Sequence, residues 1–221
     1  MLRYVEDKKF IGKMRRRCGK IMQELCHQLK EDWDIGSNFY MVGSGDRNLI
    51  MQNGNQSIDL DYNLEIIRCG YSNCRDIKEN VMNTLNKILS KYNIATCKDS
   101  TSAITTEKVH FKKGNKTEFS IDIAIVRRDK DDRIYRLIHN KTGFVACDKY
   151  YWEQAPNSHY LREKVNEIKK FGMWEEVRQQ YCDIKNRYLC FYCNNHTSFI
   201  CYIEAVNNVY NKLQRRRIGC Y

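Results

Sequence analysis

The run Ser57-Ile58-Asp59-Leu60-Asp61-Tyr62-Asn63-Leu64 decides how this chain is read. Apolar residues occupy every other position, the period of a strand whose side chains alternate between two faces. Ile58, Leu60, Tyr62 and Leu64 share one face, while Asp59, Asp61 and Asn63 share the other with Glu65 behind them. The two aspartates lie about 7 Å apart along such a strand and repel each other unless a cation sits between them. Hard oxygen ligands in that arrangement suit magnesium or manganese. The same run opens like a calcium-binding EF-hand loop, but Leu64 and Gly70 occupy the positions where that loop needs Gly and Glu, which rejects it.

Two more stretches join this one. Upstream, Phe39-Tyr40-Met41-Val42-Gly43-Ser44-Gly45 is an apolar run that breaks into a glycine-serine turn. Downstream, Phe119-Ser120-Ile121-Asp122-Ile123-Ala124-Ile125-Val126 alternates again, with Phe119, Ile121, Ile123 and Ile125 on one face and Asp122 on the other beside Ser120 and Ala124. An acid in so apolar a strand needs a partner. If the two acidic strands are neighbours, three carboxylates converge in front of the turn.

In that order, Gly43-Ser44, Asp59-Leu60-Asp61 and Asp122 resemble the signature of the polymerase-β-type nucleotidyltransferase superfamily, over residues 38 to 126. The resemblance implies an α/β (α+β) fold, a mixed sheet with flanking helices. It implies transfer of a nucleoside monophosphate from a nucleoside triphosphate to an acceptor hydroxyl, with release of pyrophosphate. Asp59, Asp61 and Asp122 are then the catalytic residues and the ligands of Mg2+ or Mn2+, and Gly43 and Ser44 bind the triphosphate. A lysine after the core is expected on its tail: Lys169 or Lys170, with Lys164 behind them. The long polar stretch from Gly45 to Gln56 departs from the shorter members. A long helix ahead of the first strand resembles the layout of oligoadenylate synthases and bacterial cyclic-oligonucleotide synthases.

With 221 residues, 42% hydrophobic and 29% charged, the chain can form one sizeable domain or a catalytic core with a helical appendage. Eleven cysteines without a repeating framework point to a reduced, cytoplasmic protein. No signal peptide or run of about 20 apolar residues is visible, so no membrane partner is expected and Asn115-Lys116-Thr117 is not a glycosylation site. The formal net charge of +11 gathers at Arg15-Arg16-Arg17, Lys112-Lys113, Arg127-Arg128 and Arg215-Arg216-Arg217. Such an excess favours a polyanionic partner, RNA or a second nucleotide beside the triphosphate, over a cationic drug. A solvated basic surface explains any single patch equally well.

Periodicity predicts a helix from Val5 to Asp32, in which Gly12 and Gly19 allow close packing, and a first strand at 38–43. A loop runs from Arg47 to Gln56, the acidic strand covers 57–68, and a helix covers Asp76 to Lys91. Thr105–Lys113 reads as a strand leading through Gly114-Asn115 into the Asp122 strand, and Arg127–Arg133 as a charged loop. Pro156-Asn157-Ser158 offers caps for the first of three helices, which run to Phe171, from Met173 to Tyr192, and from Thr197 to Arg217. Residues 1–150 are expected to be the catalytic core with its N-terminal helix, and 151–221 a helical region packed on it. Tyr150, Tyr151 and Trp152 read as core residues before base-stacking ones. Cys190, Cys193, His196 and Cys201 resemble a zinc knuckle, but the middle spacing is two residues short and the cysteines lie in periodic helical sequence, so they read as buried free thiols. With no P-loop or kinase loop, the rival to an enzyme is a non-catalytic module of the same fold that binds nucleic acid or a protein.

Overall fold

Strand alternation in the sequence becomes a seven-stranded mixed sheet in the computed structural model, which describes residues 1–156, 159–190 and 197–218. In chain order the elements are β1 (Leu2–Tyr4), α1 (Lys8–Trp33), β2 (Gly36–Met41), α2 (Gly43–Asp46), β3 (Met51–Asn53), β4 (Ile58–Arg68) and α3 (Cys74–Lys91). They continue with β5 (Lys98–Asp99), β6 (Ile104–Thr105), β7 (Phe119–Arg128), β8 (Ile134–Asn140), β9 (Lys149–Gln154), α4 (His159–Lys170), α5 (Trp174–Cys190) and α6 (Ser198–Ile218). The chain divides into two units: Val5–Ile50 with Asn55–Ala155, and Met1–Tyr4 with Met51–Gly54 and Pro156–Tyr221.

In the first unit the sheet runs β2-β4-β7-β6-β5, and β8 also pairs with β7 and carries β9 on its other side. β4 and β7 are parallel and in register from Ile58↔Phe119 to Glu65↔Val126. Their apolar faces are buried against α1, through Phe10, Met14, Ile21 and Leu25, and against α3, through Val81, Leu85 and Ile88. The alternation therefore turns Asp59, Asp61 and Asp122 away from the core. Asp7 caps α1 by accepting from the Phe10 amide at 2.9 Å, and Asp34, left-handed at φ 50°, ends it. A Cβ at Gly12 or Gly19 would meet no atom within 4 Å, so neither glycine serves close packing.

The sheet departs from the sequence reading in two places. Of the expected Thr105–Lys113 strand, only Thr105 belongs to β6, which pairs with β7 through Ile104 and Thr105. The Thr106 amide still donates to the Ile121 carbonyl at 2.9 Å, but the Ile121 amide donates back to the Thr106 hydroxyl at 2.9 Å in place of the Thr106 carbonyl, and the chain regains β7 at a single bridge, Val109↔Phe119. His110 consequently lies outside a strand, its Nδ1 3.1 Å from the Phe111 carbonyl. The charged stretch after β7 is a short turn rather than a loop to Arg133. β7 continues to Arg128, and the Asp129 carboxylate accepts the amides of Asp131 and Arg133 at 2.9 Å each, reversing the chain into the β8–β9 hairpin. In that hairpin Tyr150 and Trp152 pack on the core edge while Tyr151 is exposed.

A buried polar cluster ties β5, α3 and the hairpin together. His139 is 4% exposed, with Nδ1 2.5 Å from Asp99 and Nε2 3.0 Å from Asp148, and its ring stacks on Tyr150. Lys78, buried to 2% exposure, pairs with Asp99 at 2.5 Å and donates to the Ser100 carbonyl at 2.8 Å. Burial alone raises the Asp99 carboxyl, but the hydrogen bonds from Lys78 and His139 outweigh it and hold it below the usual carboxylate range. Asp99→Ala leaves Lys78 buried without its counter-charge and is expected to cost about 3–5 kcal/mol, read as a shifted midpoint in urea unfolding.

In the second unit, β1 and β3 form a two-stranded antiparallel sheet with Leu2 opposite Asn53. The Leu2 amide donates to Asn186 of α5 at 2.7 Å, and the Tyr4 hydroxyl donates to the Arg178 carbonyl at 2.7 Å under the Arg178 guanidinium. Part of the stretch read as a loop is thus a strand, paired with residues ahead of α1. Ile168, Val177, Tyr181, Val206, Val209 and Leu213 fill the interior of α4, α5 and α6. Cys193 and His196 of the rejected zinc motif, the proposed caps Asn157 and Ser158, and the end of the Met173–Tyr192 helix lie outside the described residues; Cys201 is a buried free thiol. Among the described residues no helix is long and apolar enough to cross a membrane.

Candidate active site

Parallel pairing of β4 with β7 makes Asp61 and Asp122 register partners and sets Asp59 opposite Ser120. Neighbouring strands lie about 4.8 Å apart, so the two carboxylates rise side by side from one face. Each flanking acid is steadied by a hydroxyl. Ser120 donates to Asp59, and Thr105, opposite Asp122 on β6, donates to Asp122 at 2.6 Å. Asp59 is exposed, whereas Asp61 and Asp122 are half-buried. Among the described residues, no three His, Cys, Asp or Glu side chains form a metal-holding group as they are placed. That agrees with like charges in which Asp59 and Asp122 each give an oxygen to a neighbouring hydroxyl.

The crowding shows in the protonation equilibria. Burial, then the charges of Asp122 and Asp59, push the Asp61 carboxyl up to about 6, against a weaker opposing pull from Arg47. Asp122 is also raised, by burial first and by Asp59, although its Thr105 hydrogen bond works the other way. For an acid whose folded value lies above its unfolded one, the ionised form destabilises the fold. That cost is fully present above pH 6 and disappears as pH falls toward 4. Discounted for partial exposure, it amounts to about 1–2 kcal/mol for Asp61. In EDTA, Asp61→Asn should therefore be more stable than the natural protein at pH 7.5 and lose that advantage by pH 4.5, measured by denaturant unfolding.

The glycine-serine turn is built onto the same acid. The Val42 amide donates to the Asp61 carbonyl at 2.9 Å, and Gly43 then turns at φ +67°, a conformation that favours glycine. A Cβ on Gly43 would lie 2.2 Å from Asp61 Oδ2, so the backbone can approach the carboxylate only without a side chain. Gly45 is buried beneath Met41 and Leu60, where a Cβ would come within 2.7 Å of the Met41 sulfur. Ser44, half-buried, lies between these two fixed glycines in the single turn α2.

No protein-family profile matches the sequence, and no curated protein matches it. Solved structures do share its fold. CdnC of Escherichia coli MS115-1, solved with ATP, is similar at a TM-score of 0.60 and 13% identity, over 94% of this chain and 62% of that one. DncV of Vibrio cholerae in its 3′-deoxy ATP bound form gives 0.55 and 12%, over 92% and 52%. The CdnE cyclic dinucleotide synthase of Elizabethkingia meningoseptica, solved with GTP and Apcpp, gives 0.51 and 13%, over 87% and 69%. The fold is that of the polymerase-β-type nucleotidyltransferases. This chain spans about three fifths of the CdnC chain and about half of the DncV chain.

On the nucleotidyltransferase fold, the sequence-predicted residues Gly43, Ser44, Asp59, Asp61 and Asp122 come together in the first unit. Lys169 and Lys170 are exposed in the last turn of α4, in the second unit, and the Lys169 ammonium lies 4.8 Å from the centre of the Trp174 ring. Lys164 donates to Asn207 of α6 at 2.8 Å. Sequence reasoning missed Thr105 as the partner of Asp122. Its only signal was a hydroxyl residue on a strand expected beside the acids, and the register was needed to place it.

Proposed function

We propose that this chain is a metal-dependent nucleotidyltransferase that moves a nucleoside monophosphate from a nucleoside triphosphate to an acceptor hydroxyl. The observation that carries the reading is the register match of Asp61 with Asp122, with the Gly43 backbone pressed against the Asp61 carboxylate. A nucleotidyltransferase fold accounts for both features. The ATP, 3′-deoxy ATP and GTP named with the similar structures support a nucleoside triphosphate as the donor substrate.

The donor set fits a hard divalent cation. It is oxygen only, and the like charges that raise Asp61 are the uncompensated charge a cation relieves. Asp59, Asp61 and Asp122 would hold Mg2+ or Mn2+, which supplies activation of the acceptor hydroxyl and neutralisation of charge on the leaving pyrophosphate. The chain's own residues do the remaining work by position. Ser44 and the backbone amides of its turn hold the triphosphate, with Gly43 allowing close approach. Thr105 fixes one oxygen of Asp122, so that carboxylate meets the acceptor in one orientation. The basic surface favours a polyanionic acceptor, RNA or a second nucleotide, over a cationic small molecule. The described cysteines are free thiols, which suits a reducing cytoplasm.

The test is incubation of the purified protein with each α-labelled nucleoside triphosphate and Mg2+ or Mn2+, with and without total RNA, followed by product separation. Label in RNA identifies a polynucleotide acceptor, and a small labelled product without RNA identifies a nucleotide acceptor. Absence of any labelled product with either metal contradicts the reading.

A further inference from the structure

We propose that Arg15, on α1, is a positioning residue for the triphosphate turn; the inference rests on the nucleotidyltransferase reading above. One nitrogen of its guanidinium, Nη2, donates both to the Gly45 carbonyl and, at 2.9 Å, to Asn48 Oδ1. A terminal guanidinium nitrogen carries two hydrogens, so it can serve both acceptors at once. Together those bonds grip the far end of the turn. Asn48 is held in the left-handed region at φ 56°, and the Leu49 amide closes back onto the Ser44 carbonyl at 2.9 Å.

Ser44 is therefore fixed from two sides. On the near side the Val42 amide and the Gly43 backbone register the turn against Asp61. On the far side Arg15 registers it against α1. That anchor is stiff, because Met14 and Cys18 beside Arg15 are fully buried in the core. Arg15 touches no reacting group in this reading; it sets the shape of the backbone that does. Lysine is a poorer substitute, since its ammonium ends a freely rotating stem, whereas the rigid, planar guanidinium holds Nη2 and both its hydrogens in one plane toward the two oxygens.

The experiment titrates α,β-methylene-ATP into the wild type, R15A and R15K by calorimetry in Mg2+, records each melting temperature, and then repeats R15A with millimolar methylguanidinium. Loss of a charge-assisted hydrogen bond predicts binding weaker by roughly tenfold in R15A, a smaller loss in R15K, and recovery in R15A when methylguanidinium refills the site. In turnover assays the triphosphate KM should rise with kcat changed less. Wild-type affinity in R15A, or in R15K should R15A fail to fold, overturns the role of Arg15 while leaving the nucleotidyltransferase reading intact. A loss in R15A that tracks a lower melting temperature and ignores methylguanidinium also overturns it, as the mark of a structural contact. No binding by the wild type overturns the nucleotidyltransferase reading and the role of Arg15 together.

Discussion

Asp61→Asn should reduce nucleotidyl transfer by at least about a thousandfold, because it removes the carboxylate shared between the Asp59 and Asp122 sides of the site and with it much of the metal's charge stabilisation. The substitution keeps the shape of the side chain and deletes only its charge. The Val42 amide still finds the Asp61 backbone carbonyl, so the strand and the turn retain their register. Lost activity and gained stability are expected in the same variant, since the charge that crowds the folded protein is the charge that would hold the cation. Rates of pyrophosphate release set beside unfolding curves check both. Near-normal turnover would remove Asp61 from the site, and a fall in stability at pH 7.5 would deny the crowding.

Gly43→Ala is the second variant with a large expected effect, and it tests backbone where Asp61→Asn tests charge. The new methyl group would need the space now 2.2 Å from Asp61 Oδ2 and 3.0 Å from its carboxyl carbon. It would also leave a non-glycine residue at φ +67°, which costs about 1 kcal/mol by itself. Either the turn retreats from the strand or the carboxylate swings aside, and each would separate the proposed triphosphate turn from the proposed metal ligands. A displacement near 1 Å at such a site costs about a hundredfold in rate, and strain plus overpacking should lower stability by about 1–3 kcal/mol. Gly12→Ala is the control. A Cβ there meets nothing within 4 Å, so helix propensity should make it neutral or slightly stabilising, by about 0.5–1 kcal/mol. Equal activity in the two variants would show that Gly43 is not pressed on the site.

The contrast between these glycines illustrates what the sequence could disclose. Gly43 was legible because it precedes a serine and a pair of alternating acids, and α1 was legible because seven buried residues recur at helical spacing. The strand period told which face of β4 and β7 carries the acids. Sequence alone left open that the strands are parallel neighbours, and only that pairing brings Asp122 beside Asp61. Contacts decided by register rather than period stayed hidden: Thr105 on Asp122, Ser120 on Asp59, and Arg15 on Gly45. Short or weakly patterned strands were hidden for the same reason. β1 and β3 have three residues each and gain their hydrogen bonds from each other, while β8 and β9 mix aromatic and charged residues without clean alternation. Thr106 shows the opposite error, a β-branched residue that favours a strand by propensity but ends the ladder with its hydroxyl.

Basic clusters were the least specific signal. Arg128 is paired with Glu65 and Asp132, Arg216 with Glu176, and Arg217 with Glu167, while Arg127 lies over the Trp152 ring. Much of the positive charge in those runs is therefore engaged within the protein, and the count of cations overstates what an RNA or a nucleotide would meet.

The most direct measurement is Mn2+ binding followed by electron paramagnetic resonance, with α,β-methylene-ATP present, for the natural protein beside Asp61→Asn and Asp122→Asn. The carboxylate site predicts about two bound ions per chain in the natural protein and fewer in each variant, with all three proteins equally folded. Binding that is the same in all three, or absent from the natural protein, would contradict the claim that these aspartates form one metal site.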